Sequence, residues 1–170
     1  MGARMERLPR RTRPRIYAAS ELLLDMLWSV RSGVPDMDLE TLLIFMVVSE
    51  AAMRPMLVGP SARPEFIDEP IPPDEARGSL SRSLIADRTG LPRETVRRKV
   101  NALIDAGLLN ESKGGEVRPA PLLSESVYQT IADECFAAVG RYNDRLRSLG
   151  EPAPRDAPGP RPGADPTQNG

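Results

Sequence analysis

The 170-residue chain contains no histidine and a single cysteine, Cys135. The first absence removes the most used general base and the most used zinc ligand. The second excludes an internal disulfide and fits a reducing compartment. Aromatic residues make up only 4% of the chain, so aliphatic side chains must fill any core. Long apolar runs are missing too. The longest continuous one, Leu42 to Val48, is far too short to span a bilayer, so no membrane association is expected. The N-terminus is rich in arginine and proline, with no apolar stretch of the kind a signal peptide needs, which points to a cytoplasmic protein. Lysine is scarce as well, and only Lys99 and Lys113 occur. No Gly-rich phosphate loop, nucleophile elbow or metal-ligand spacing is present. The acids Asp68, Glu69, Asp74 and Glu75 are interrupted by prolines and lack the glycine pattern of a calcium loop. Neither an enzyme nor a bound cofactor or metal is expected.

What is present is segregated charge. A net charge of −1 conceals a basic stretch at 1–15, an acidic one at 61–76 and a basic one at 88–99. A DNA-binding face requires local positive potential, not a basic whole.

Six stretches follow along the chain. Residues 1–15 read as a solvated basic arm, because Pro9 and Pro14 interrupt helix; it is either disordered or an arm touching phosphates. Residues 16–54 read as two helices. The first, 16–32, places Ile16, Leu23, Leu27 and Val30 at helical spacing and stops at Gly33 and Pro35, with Trp28 packing among helices. The second, 38–54, has Asp38 as its N-cap, is apolar around its circumference and so buried on several sides, and ends at Pro55. Residues 55–77 form a proline-rich acidic loop, either a flexible insertion or a segment lying across the surface, and Phe66 and Ile67 favour the second by offering an apolar anchor. Residues 122–149 open on Ser124 as a cap and continue as a helix. Its stripe of Val127, Ile131, Cys135, Val139, Tyr142, Leu146 and Leu149 makes Cys135 a small packing residue rather than a redox sensor. Residues 150–170 are rich in proline and glycine and are expected to be disordered.

The stretch 78–121 is the informative one. Two short helical patterns are joined by Thr89-Gly90-Leu91-Pro92. In the first, Leu80, Leu84 and Ile85 face inward, and the small Ala86 permits close helix crossing. Gly90 allows the tight turn, Leu91 plugs it into the core, and Pro92 suits a helix start. In the second helix, 92–106, Val96, Val100, Leu103 and Ile104 form the buried face. Arg93, Glu94, Thr95, Arg97 and Arg98 are left outward. Recognition helices present such polar and cationic side chains to base edges. Arg93 and Arg97 suit bidentate contacts to guanine, and Arg98 and Lys99 suit phosphates. Thr95 suits a phosphate or a thymine methyl; Glu94 either accepts from cytosine or stabilises the helix N-terminus. Ala106-Gly107 then caps the helix. Leu108–Glu111, the turn Ser112–Gly115 and Glu116–Arg118 make a hairpin that carries Lys113 and Arg118 toward DNA.

Ile85-Ala86, Gly90-Leu91, Thr95-Val96 and Gly107-Leu108-Leu109 match, in order and spacing, the winged helix-turn-helix of the multiple-antibiotic-resistance (MarR) class of regulators, which the stretch Ser83–Arg118 resembles. Pro92 stands where that class more usually has serine, and the 55–77 insertion is longer than is usual there. The resemblance implies a mainly α fold: a winged helix-turn-helix core with a short β-hairpin wing, flanked by N- and C-terminal dimerisation helices. It further implies a bacterial transcription regulator that binds double-stranded DNA as a homodimer, with or without a small-molecule effector. Independently, the apolar faces of 16–32 and 122–149 exceed what one small domain needs. A symmetric dimer would bury both and set two recognition helices roughly 34 Å apart, over an inverted repeat. A winged-helix protein–protein module and a DNA-binding factor of replication or partitioning are the alternatives.

Overall fold

The computed structural model describes residues 12–151, and these form five helices and one small antiparallel sheet. The expectations for residues 1–11 and 152–170 lie outside the described residues. The chain divides into two compact units. One contains residues 36–128; the other is built from the described residues up to Pro35 and from Gln129 onward.

In the 36–128 unit, α2 (Leu39–Leu57) begins at Asp38, whose carboxylate accepts the Thr41 amide at 2.8 Å. This is the expected N-cap. Pro55 does not end the helix as its type suggested. It lies inside the last turn, and α2 continues to Leu57. The segment 58–80 crosses the surface through two short 3-10 turns, Pro64–Phe66 and Asp74–Ala76, with Phe66 half-buried and Ile67 exposed. α3 (Arg82–Thr89) is capped by the Ser81 hydroxyl and closed by Gly90 at φ 70°, a left-handed position where glycine has no steric penalty. α4 (Arg93–Asp105) follows at once and is closed in turn by Gly107 at φ 73°. Strands β1 (Leu109–Glu111) and β2 (Val117–Pro119) pair with Asn110 opposite Arg118. Leu80 adds one further rung, exchanging both backbone hydrogen bonds with Val117 at 3.0 and 2.8 Å.

The core joins all these elements: Ile44, Val48 and Ala51 from α2, Leu80, Ile85 and Ala86, then Val96, Val100 and Leu103 from α4, and Leu109 and Val117 from the strands. Leu91 packs against it from the turn, as expected, and so does Ile104. Leu84 does not face inward but is exposed, and Leu80, expected in the same helix, lies before it as a buried bridge residue. α2 is buried along one face only, so its unbroken apolar run does not mean burial on several sides.

The second unit is an antiparallel helix pair. α1 spans Thr12–Gly33, four residues earlier than the periodicity suggested. Pro14 falls in its first turn, where backbone N–H groups have no partner within the helix and proline is tolerated. α5 spans Ser126–Ser148. Ser124 is not its cap: it ends a preceding 3-10 turn, and its hydroxyl donates to the Pro121 carbonyl. Ala18 and Ala138 are fully buried small residues; of the expected α5 stripe Leu146 is buried, Ile131, Cys135 and Tyr142 are half-buried, and Val127, Val139 and Leu149 are exposed. Ion pairs Asp25–Arg141 (2.7 Å), Glu21–Arg145 (2.7 Å) and Arg15–Glu151 (3.1 Å) set the register, numbers on one helix rising as the other's fall. Trp28 is 63% exposed and Phe136 82% exposed, so Trp28 does not pack as expected. No helix among the described residues is long and apolar enough to cross a membrane.

Candidate nucleic-acid interface

α4 has its apolar side sunk in the core, and this fixes which side chains point away. Val96, Val100 and Leu103 are buried, and the residues between them are carried to the opposite face by the 3.6-residue period. Arg93, Glu94, Arg97 and Arg98 are exposed there, and Thr95 is half-buried at their edge. All five expected outward residues thus share one region of the helix.

Their electrostatics are not uniform. Glu94 receives a forked contact from Arg97, 2.6 Å from Nη2 and 2.9 Å from Nε. That hydrogen bonding holds the Glu94 carboxyl below its ordinary range and raises the Arg97 guanidinium above its own. Arg97 is therefore held by a neighbour three residues back, in a pair exposed to water and correspondingly weak. Arg93 and Arg98 pair with no carboxylate among the described residues. These two are the freest cations of the helix. Lys113 is likewise exposed in the hairpin turn and without an ion pair among the described residues.

Two residues expected in this set are not part of it. Lys99 points into the unit: its side chain is 7% exposed and its ammonium lies 2.8 and 2.6 Å from the two Asp38 oxygens and 3.3 Å from Glu40. Thr41 Oγ1 accepts from it at 3.2 Å. One residue after Arg98, the helix has turned far enough to place position 99 beside buried Val100. The lysine stem is buried and carries the ammonium to the carboxylates at the start of α2. Lys99 is a structural tie between α4 and the α2 cap rather than a phosphate contact. Arg118 is also withdrawn. Its side chain is 17% exposed and its guanidinium is 2.5 Å from Asp74, so the acidic segment neutralises it. Neighbouring Arg77 donates to the Pro119 carbonyl at 2.5 Å, adding a second tie between that segment and β2.

Sequence reasoning missed Arg82. From the first turn of α3 it donates to Glu111 (2.6 and 3.2 Å), to Asn101 of α4 (3.0 Å) and to the Gly115 carbonyl (3.3 Å). One planar fork therefore orients the hairpin against both helices. Ser79 donates to Glu116 from the other side. Nothing local in the sequence marks Arg82, since its partners lie far along the chain.

In the terminal unit, a cleft of about 500 Å³ lies between α1 and α5, lined by Glu21, Asp25, Arg141, Tyr142 and Arg145 among others. Its charged walls satisfy each other through the two inter-helix ion pairs, and Arg145 also lies 5.6 Å from the centre of the Tyr17 ring. The Cys135 thiol is pushed above its ordinary value by burial and by Glu134, which disfavours the reactive thiolate. No family model, no curated protein and no solved structure matches the chain.

Proposed function

We propose that residues 36–128 are a winged helix-turn-helix that binds duplex DNA, and that the chain is a transcription regulator similar to the MarR class, without catalytic activity. The observation that supports this most directly is the outward set Arg93, Arg97 and Arg98 on α4, the second of two helices joined at Gly90 and followed by a hairpin. In this reading α4 enters the major groove by its N-terminal half. Arg93 contacts base edges and Arg98 a phosphate, and Lys113 approaches the backbone from the hairpin. Arg97 takes part once Glu94 releases it or accepts from a cytosine amine.

The chain acts as a homodimer in this reading. Support comes from the exposed apolar residues of α1 and α5, among them Leu23, Leu24, Trp28 and Phe136, which a second copy would cover. Selection of bound duplexes from a random pool, with titration at two salt concentrations, tests the proposal. Enrichment of an inverted repeat whose affinity falls steeply with salt is the expected result. Absence of any enriched sequence, with weak binding throughout, would overturn it.

A further inference from the structure

α2 has two apolar faces, and only one of them is used. Ile44, Val48, Ala51, Ala52 and Met56 are buried. On the other side Leu39, Leu43, Met46, Met53 and Leu57 are each between 40% and 67% exposed. With Glu50 between them, these positions step by four, three, four, three and four. At 100° per residue they fall within an arc of about 80°, centred opposite Val48. This is the spacing of a coiled-coil seam, in which alternate three- and four-residue steps keep one stripe facing a partner helix. Scattered surface leucines need no partner, but five apolar side chains in one stripe, interrupted only by Glu50, mark an interaction surface.

We propose that this seam pairs antiparallel with the α2 seam of a second copy, about a two-fold axis at the level of Val48. The steps read the same from either end, so a reversed copy sets seam against seam throughout. Leu39 meets the second copy's Leu57, Leu43 meets its Met53, and Met46 meets its Glu50. Each contact occurs twice, as a two-fold interface requires. Glu50 decides the direction. A parallel pair would oppose the two Glu50 carboxylates inside the seam, whereas the antiparallel pair sets each against a methionine. Each carboxylate then keeps its own cations, Arg54 at 2.7 Å and Arg88 at 3.5 Å. Covering both seams removes on the order of 1,000 Å² from water, near the lower end for specific interfaces, where transient pairs are found. It strengthens wherever two copies are already held close together. The pairing does not depend on whether the chain binds DNA.

Sedimentation equilibrium of the full chain over a range of micromolar concentrations tests the proposal. The expected result is a doubling of mass with concentration, additional to any dimer held by α1 and α5, that Leu43→Glu with Met53→Glu abolishes, while the circular dichroism stays that of the parent. Spin labels on single cysteines, in a Cys135→Ala background, read the pairing directly. From a 1.5 Å rise and an axis separation of 8–10 Å, residues 46 of the two copies are about 11 Å apart and residues 57 about 28 Å. Strong dipolar broadening at 46 together with the long distance at 57 supports the antiparallel pair. A parent with no doubling step, an unchanged step in the double variant, a short distance at 57, or no broadening at 46 would each overturn it. The last outcome would assign the seam to a different segment or partner.

Discussion

Gly78 lies against the backbone of Ala51 so closely that a Cβ at position 78 would sit 2.2 Å from the Ala51 carbonyl oxygen. Pro55 explains why that carbonyl is open to approach: it has no N–H to donate back along α2. The Gly78 amide in turn donates to the next carbonyl, of Ala52, at 3.1 Å. Proline and glycine, twenty-three positions apart, thus make one junction that brings the chain from the surface segment into the Leu80 rung.

Gly78→Ala is therefore expected to destabilise the protein by about 1–3 kcal/mol, because backbone must move to admit the methyl group. Gly114→Ala is the control. Its nearest neighbour would be the Ser112 hydroxyl at 3.7 Å, an ordinary contact, and its effect should stay within about 0.5 kcal/mol. Urea midpoints of the two variants measure the difference. Equal midpoints would mean that the junction is not tight in solution.

Arg82 sets the hairpin, not the core. Its substitution by alanine removes hydrogen bonds to Glu111, Asn101 and Gly115 while leaving every buried apolar contact in place. Amide exchange should quicken at residues 110–118 by about tenfold or more, equivalent to roughly 1.5 kcal/mol of lost local protection, with α3 and α4 little changed. Uniform acceleration across the whole 36–128 unit would assign Arg82 to global stability instead.

Much of this unit was legible in the sequence, and the legible parts are local. Asp38 caps α2, Gly90 and Gly107 close α3 and α4, and the Val96, Val100, Leu103 spacing names the buried face of α4, because each depends on residues a few positions away. Lys99 and Arg118 were misread for the opposite reason. A cation's partner decides whether it is available, and the Lys99 partner Asp38 is 61 residues away. Position on a cationic helix face is a property of the period; freedom from a carboxylate is a property of the tertiary fold. The α2 run was apolar on both sides, and composition alone did not show that only one side meets the core of its own unit.

The Asp38–Lys99 contact makes stability depend on acid. Hydrogen bonds from Lys99, then from the Thr41 amide and hydroxyl, hold the Asp38 carboxyl well below the usual carboxylate range. A group whose folded pKa is depressed contributes fully above its unfolded pKa, near 4, and loses that contribution as pH falls toward the folded value. Asp38→Asn keeps a good N-cap but not the charge. The parent should exceed this variant by about 1 kcal/mol at pH 6, a modest figure because the Asp38 side chain is 62% exposed, and the gap should close below pH 4. A gap that does not change with pH would place the effect in the cap alone.

Lys99 and Arg98 are adjacent in sequence and both positively charged, yet they should fail in opposite assays. Lys99→Ala deletes a charged hydrogen-bonding group from a buried position and leaves Asp38 and Glu40 repelling one another at the start of α2. A loss of about 1.5–3 kcal/mol of folding stability is expected. Because its ammonium is spent within the protein, DNA affinity of the folded fraction should keep the parent's dependence on salt. Arg98→Ala removes an exposed side chain with no ion pair among the described residues, so stability should shift by less than about 0.5 kcal/mol. Under the proposed DNA-binding function, the slope of log affinity against log salt should fall by about one for each copy bound, as one phosphate contact and its counterion release are lost. Denaturation midpoints and salt titrations on the same pair of variants decide the matter. A reduced salt slope in Lys99→Ala, with stability intact, would show that the lysine leaves Asp38 to meet DNA.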